Sequence, residues 1–408
     1  MNKQNNRLVP ELRFPEFLSN SGWETVYGNK AFEQISNKDH NSDLPILAIT
    51  QEYGAIPRET IDYNVSVTEK SVQSYKVVDV GDFIISLRSF QGGIEYSEYK
   101  GLCSPAYVIL RNKKGIDKRF FKQYFKAKSF IRDLTKNLEG LRDGKMISYK
   151  QFSEVLLPKP STEEQQKIAD CLASIDELIT LHTQKLEAFK DHKKGLMQQL
   201  FPSEGEVVPK LRFPEYRNKA VWKKIVLRNL VDIRSGFSPS KYVLDDSAEI
   251  AFLKVEDLNN CEKYQIKSRF YSNDREGIVP AGSVIFPKRG AAISLNKVRL
   301  NVSDVLIDTN LMAITPNDKI YAEFLYYLIL SIGLFKIADM STIPQINNKH
   351  INPYEVLVPS KEEQEKIFGL LSSVDSLISA QVERVDELKS HKSGLMQKLF
   401  PVMDGVVQ

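Results

Sequence analysis

The chain has 408 residues, of which 42% are apolar, 10% aromatic and 26% charged, with a formal charge of +4. That length calls for two or three domains, and the composition excludes a disordered, collagen-like or disulfide-built chain. The mild positive charge permits a nucleic-acid partner without demanding one. Residues Met1–Leu8 lack the apolar stretch of a secretory signal, and the most apolar run, Phe324–Phe335, falls short of the ~20 residues that span a bilayer. Cys103, Cys171 and Cys261 form no CxxC, which points to a reducing cytoplasm and against structural zinc.

In chain order, the first landmark is Val9-Pro-Glu-Leu-Arg-Phe-Pro-Glu16. β-rich runs follow at Leu44–Ile49, Asp82–Ser86 and Ala106–Leu110, then an aromatic helix at Phe120–Ile131 and a short strand at Val155–Leu157. Ser161-Thr-Glu-Glu164, just after Pro160, has the form of a capping box and opens a helix of about 38 residues, roughly 57 Å, that Pro202 ends. The opening landmark then returns as Val208-Pro-Lys-Leu-Arg-Phe-Pro-Glu215, 199 residues later. Trp23 returns as Trp222 and the segment Ser161–Pro202 as Ser360–Pro401, all at that offset. The stretches between them diverge. Copy two has β-rich runs at Ile250–Val255, Ser283–Phe286 and Leu311–Ile314, an aromatic helix at Tyr321–Ile337 and a strand at Val356–Val358. This is a duplicated domain pair, with mixed α/β variable segments alternating with constant helices.

The constant helices carry apolar residues at coiled-coil spacing. Copy one has Ile168, Leu172, Ile175, Ile179, His182, Leu186 and Phe189, continuing through Lys193, Leu196 and Leu200. Copy two has Ile367, Leu371, Val374, Ile378, Gln381, Val385 and Leu388, continuing through Lys392, Leu395 and Leu399. Polar interruptions fall at matched places. Two such helices in one chain most economically bury their stripes against each other. Antiparallel pairing would relate the halves by a pseudo-two-fold axis. The alternative, each helix lying on its own variable domain, would leave helices of this length overhanging.

Gly81 and Gly282 each precede an apolar strand that ends in basic residues and a Gly-containing loop. Arg and Lys there match guanine O6/N7, and Asn and Gln match adenine N6/N7, in a DNA major groove. The candidates are Arg88, Ser89 and Gln91 in copy one, and Lys288, Arg289, Asn296, Lys297 and Arg299 in copy two. A later loop adds Arg142 and Lys145 in copy one, and Gln345, Asn347 and Lys349 in copy two. The run Arg111–Arg132 holds nine basic residues, Lys118 and Lys122 among them, interleaved with Phe120, Phe121, Tyr124 and Phe125. It reads as a phosphate-contacting face.

Catalytic patterns are near-misses. Ser104-Pro-Ala-Tyr107 lacks the second proline of an amino-methyltransferase motif, Asp82…Glu98-Tyr-Lys100 has no counterpart in copy two, and Gly140-Leu-Arg-Asp-Gly-Lys145 falls one residue short of a P-loop. The histidines at 40, 182, 192, 350 and 391 form no ligand spacing, so neither a metal nor a catalytic residue is expected.

The whole arrangement resembles the specificity (S, HsdS-like) subunit of type I restriction–modification enzymes. The residues that carry the resemblance are Glu163-Glu-Gln-Gln-Lys-Ile168 and Glu362-Glu-Gln-Glu-Lys-Ile367, with Gly195-Leu-Met-Gln198 and Gly394-Leu-Met-Gln397 at the helix ends. Gly81-Asp-Phe83, Ser104-Pro-Ala-Tyr107 and Ile343-Pro-Gln-Ile346 look like that family's recognition-domain landmarks. Copy one has Gly140-Leu-Arg-Asp-Gly144 in place of Ile-Pro-Gln-Ile.

The resemblance implies an α+β fold, with α/β target-recognition domains at 1–155 and 203–355 and helical regions at 156–202 and 356–408 that form an intramolecular antiparallel coiled coil. It implies a non-catalytic subunit, each recognition domain reading one half of a bipartite, asymmetric double-stranded DNA target. Two modification (adenine-N6 methyltransferase) subunits and, through them, two restriction subunits would be its partners. S-adenosylmethionine, ATP and magnesium would belong to those partners. The rival expectation is a stand-alone nuclease or methylase carrying its own DNA readers.

Overall fold

The computed structural model describes residues 8–61, 69–135, 147–340 and 343–403. It divides into two compact units, Met1–Thr183 with Glu383–Gln408, and Gln184–Val382. Both divisions cut through the constant helices rather than through a linker. Each unit therefore owns one variable domain, the N-terminal half of that domain's helix and the C-terminal half of the other.

In the first unit the strands are β1 (Glu24–Tyr27), β2 (Phe32–Ile35), β3 (Leu47–Thr50), β4 (Gly54–Pro57), β5 (Lys76–Val78), β6 (Phe83–Ile85), β7 (Glu95–Tyr96), β8 (Gly101–Cys103), β9 (Val108–Asn112) and β10 (Leu156–Lys159). The central sheet has the order β2-β9-β6-β7 and is antiparallel throughout. Pairs β1–β10, β3–β4 and β5–β8 stand apart from it. Phe83, Ile84 and Ile85 are all buried, so β6 is covered on both faces. Phe32 meets Phe83 and Phe121 edge-on at 5.5 and 5.2 Å, the arrangement ring quadrupoles favour.

The single aromatic helix expected at 120–131 is two helices, α1 (Lys118–Tyr124) and α2 (Lys128–Thr135). Asp117 starts α1 by accepting the N–H groups of Arg119 and Phe120. The long helix α3 runs Thr162–Leu200.

In the second unit the strands are β11 (Lys223–Val226), β12 (Val231–Ser235), β13 (Ile250–Leu253), β14 (Tyr264–Gln265), β15 (Phe270–Ser272), β16 (Val284–Pro287), β17 (Arg299–Asn301), β18 (Val305–Ile307), β19 (Leu311–Pro316) and β20 (Glu355–Val358). A five-stranded sheet, β12-β19-β16-β17-β14, corresponds to the first unit's central sheet, and β15-β13-β18 forms a second. Helix α4 (Ala322–Ile332) buries Phe324 through Ile329 without interruption, as a helix apolar on every side must. The apolar run does not continue to Ile337 as one helix. It breaks at Gly333, whose φ of +84° L-residues rarely adopt, and resumes for one turn. The second long helix, α5, spans Lys361–Leu399.

Within each unit the two long helices run antiparallel. Asp176 Oδ1 meets Lys392 Nζ at 2.6 Å in the first unit, and Asp375 Oδ1 meets Lys193 Nζ at 2.5 Å in the second. These four residues are the same pair written twice. Ile168 and Leu172 share a core with Leu395 and Leu399, as Ile367 and Leu371 do with Leu196 and Leu200. Leu186 and Phe189 pack with Val374 and Ile378. The antiparallel coiled coil and the α+β class are thus as expected, but the disfavoured alternative also holds in part. The first turns of each helix lie on their own domain: Ile168, Ala169 and Leu172 join the core that contains Phe120 and Tyr124.

Candidate nucleic-acid interface and its anchor to the helices

The capping box expected at Ser161-Thr-Glu-Glu164 is only half formed. Ser161 Oγ accepts the Glu164 N–H at 3.3 Å, but the Glu164 carboxylate turns away to Arg13, which donates from Nε and Nη2 at 2.7 and 2.8 Å. Arg212 and Glu363 repeat this at 2.8 and 2.8 Å, and Trp222 Nε1 adds a third donor at 3.2 Å. Each arginine also donates to two carbonyls of the turn that follows it, Asn20 and Ser21 or Lys219 and Ala220. The hydrogen bond to Glu363 raises the Arg212 pKa, and that to Glu164 raises Arg13 likewise. The Leu-Arg-Phe-Pro landmark is therefore a buried bolt between domain and helix.

The next motif residue holds the aromatic helix. Gln165 Oε1 accepts the N–H of Asp117, the residue that caps α1, and its amide donates to Pro160 O. Gln364 Oε1 accepts the N–H of Tyr321 and its amide donates to Pro359 O. About three turns further on, Asp176 accepts from Gln123 at 2.7 Å, and Asp375 accepts from the Tyr327 hydroxyl at 2.5 Å. Phe400 packs edge-on to Phe120, and Phe201 lies 5.6 Å from Phe324. In both units the same constant positions grip the same element of an otherwise divergent domain. All the seam positions, His182 and Gln381 included, are buried or half-buried.

Among the DNA-reading candidates of the second unit, one group is brought together. Beyond the last ladder pair of β16 and β19, Pro287 with Leu311, the Lys288 N–H donates to Asn310 O at 2.6 Å. Gly290 N–H donates to Pro344 O, Ile346 N–H donates to Lys288 O, and Arg289 bridges Gln345. Backbone hydrogen bonds thus lace the loops at 288–290, 309–310 and 344–347 into one edge. It carries Lys288, Arg289, Gln345 and Asn347, with Lys349 exposed just beyond. Lys288, Arg289 and Lys349 have no side-chain partner among the described residues. Asn347 caps the turn Asn348–Ile351.

Asn296, Lys297 and Arg299 do not join that edge. Asn296, at φ +51°, caps the end of α4 by donating to Leu330 O and accepting Leu334 N–H. Lys297 donates to Asn259 Oδ1, and Arg299 to the carbonyls of Leu258 and Val298. Their polar atoms serve the fold.

In the first unit Arg88 and Gln91 are exposed, whereas Ser89 is buried and its hydroxyl accepts the Ser86 N–H. Arg142 and Lys145 lie outside the described residues. The Arg111–Arg132 run is not a free cationic face. Arg111 pairs with Asp79 and Asp82, Arg119 with Asp170, Lys122 with Glu98 and Lys126 with Glu95. Phe120, Phe121, Tyr124 and Phe125 point into the core. Lys118 is exposed and its stem covers Gly81. Asp82 of the nuclease-like near-miss is consumed by Arg111.

Sequence reasoning passed over Gln51, whose amide donates to Arg88 O at 3.3 Å from the β3–β4 turn. The Gln-Glu-Tyr-Gly turn was its only signal. No described helix is long and apolar enough to cross a membrane.

Compared with known proteins, the chain matches the family described as type I restriction modification DNA specificity domain twice, over residues 25–190 and 220–390. It belongs to that family. The type I restriction enzyme MjaVIII specificity subunit of Methanocaldococcus jannaschii is 23% identical over 428 residues, covering 98% of this chain and 95% of that one. The MjaIX specificity subunit of the same organism is 22% identical, covering 82% and 80%. Among solved structures, a chain from work on complex assembly and conformational transition of the type I R-M system gives a TM-score of 0.60 at 18% identity, covering 95% and 98%. The type I restriction–modification S subunit from M. genitalium gives 0.56 at 16%, covering 97% and 100%. These structural likenesses are likenesses of fold.

Proposed function

We propose that this chain is the DNA-sequence specificity subunit of a type I restriction–modification complex and has no catalytic activity of its own. One observation carries the reading. The two units share one anchor, residue for residue, yet present unlike polar side chains at the loop edge: Arg88 and Gln91 in one, Lys288, Arg289, Gln345 and Lys349 in the other. A common mount bearing two different readers suits one asymmetric, bipartite DNA target, each unit reading one half in the major groove. Two modification subunits, and two restriction subunits through them, are its partners. S-adenosylmethionine, ATP and magnesium bind those partners rather than this chain, and the complex works in the cytoplasm.

The test is methylome sequencing of cells that express the chain with its modification subunit. The expected result is one two-part motif with unlike halves, methylated on adenine. Purified chain incubated alone with DNA, magnesium and S-adenosylmethionine should neither cut nor methylate. Turnover there would favour a stand-alone enzyme.

A further inference from the structure

The turn between β18 and β19 is exposed at Thr309 and Asn310 and belongs to the laced edge through the Lys288 N–H···O Asn310 bond of 2.6 Å. It is built rigidly. Asp308, 7% exposed, accepts the Asn310 N–H at Oδ1 (2.8 Å), and Leu311 N–H returns to Asp308 O at 3.0 Å. The second Asp308 oxygen faces the Asn310 amide nitrogen at 3.4 Å, which orients the amide. Behind the turn, Phe237 N–H donates to Ile307 O, so the segment is packed from both sides. Asn310 is exposed, and its second amide proton and amide oxygen have no hydrogen-bond partner among the described residues. A donor and an acceptor side by side on one planar group are what adenine N7 and N6 require.

The first unit contains the same turn. Ser104 Oγ accepts the Ala106 N–H at 3.3 Å, and Tyr107 N–H returns to Ser104 O at 3.0 Å. Pro105 and Ala106 are exposed where Thr309 and Asn310 are exposed. The turn's hydrogen bonds are kept and its exposed side chains are changed. That is the pattern of a reading element, not of a structural one.

We propose that Asn310 is a specificity-determining residue that reads an adenine in the half-site of the second unit, beside the base met by Arg289. The proposal rests on the reading of this chain as a DNA specificity subunit. It adds a residue that neither the basic loop nor the Ile-Pro-Gln-Ile loop contains.

The experiment expresses full-length wild type, Asn310→Ala, Asn310→Asp and Arg289→Ala, each with the modification subunit, and sequences the methylated motif. Asn310→Ala should lose about 5- to 150-fold discrimination at one A·T position of one half-site, the worth of a good bidentate contact, with the other half-site unchanged. Asn310→Asp, which can accept from cytosine N4 but not donate to adenine N7, should move the preference at that position toward cytosine. A change of base identity cannot come from misfolding. An unchanged motif in both Asn310 variants, with Arg289→Ala relaxing one position, would overturn the role of Asn310 and leave the specificity reading standing. A wild-type chain that directs no sequence-specific methylation would overturn that reading and this proposal with it.

Discussion

Arg212 has 9% of its side chain exposed and faces a Glu363 that is 2% exposed, so neither charge has water to fall back on. Removing one partner strands the other, which typically costs ~3–5 kcal/mol. Arg212→Met should therefore lower the unfolding free energy by about that amount in urea titration. The double variant Arg212→Met with Glu363→Leu should recover much of the loss. Recovery stays incomplete, because Trp222 Nε1 and two carbonyls still lose their partners. Glu95 behaves differently. It lies buried with Oε1 2.5 Å from Lys126 Nζ, and burial raises its pKa despite that lysine. A raised pKa means that the fold binds this proton more tightly than the unfolded chain does. The stability this confers is present at low pH and is lost as pH climbs from about 4.5 through the higher native value. Glu95→Gln stays neutral throughout, so its stability relative to wild type should improve from pH 4 upward and level off. A difference that stays flat across that range would show that Lys126 fully offsets the burial.

The long helices show how one element serves two neighbours. Leu371 on α5 is fully buried where its own domain and the returning half of α3 meet, whereas Leu377, less than two turns on, is 52% exposed. Leu371→Ala should cost about 2–5 kcal/mol, and Leu377→Ala should stay within roughly 0.5 kcal/mol, in denaturant unfolding of the free chain. Comparable losses from both would mean that the stripe is covered more widely than the fold indicates. The heptad pattern announced the seam because an apolar period of 3–4 residues survives whatever partner buries it. It was silent on the polar clamps. Asp176 and Asp375 look like ordinary surface aspartates until Lys392 and Lys193 arrive from the other helix.

At the scale of the whole molecule, the duplication makes an unusual demand testable. The first unit is completed by Lys392, Leu395, Met396, Leu399 and Phe400, which come from the far end of the chain. Copy one has the same residue types 199 positions earlier, as Lys193, Leu196, Met197, Leu200 and Phe201. A fragment of residues 1–202 should therefore complete itself with a second copy and sediment as a dimer at micromolar concentration. With the modification subunit it should direct methylation to an inverted-repeat site. Ile175→Asp with Ile179→Asp should leave only monomer, since each change places an unpaired charge in the seam. A wild-type fragment that stays monomeric would overturn this account of the helix pairing.

The sequence by itself determined the duplication, the two helices with their seam and stops, the order of the main strands, and the family. All of these are written in local periodicity or in repetition, and repetition needs no knowledge of what touches what. It misjudged the side chains whose roles depend on distant partners. Glu164 reads as half of a capping box because Arg13, 151 residues away, is invisible to local pattern. The Arg111–Arg132 run reads as a cationic face because Asp79, Asp82, Glu95 and Glu98 approach it only once the strands pair. Asn296 reads as a base reader and is a helix cap, while Asn310 drew no notice and stands at the exposed edge. Only the tertiary structure decided which polar groups are spent on the fold and which stay exposed at its surface. Hydrogen bonds and ion pairs act over about 3 Å of space, at whatever sequence separation the fold brings them together.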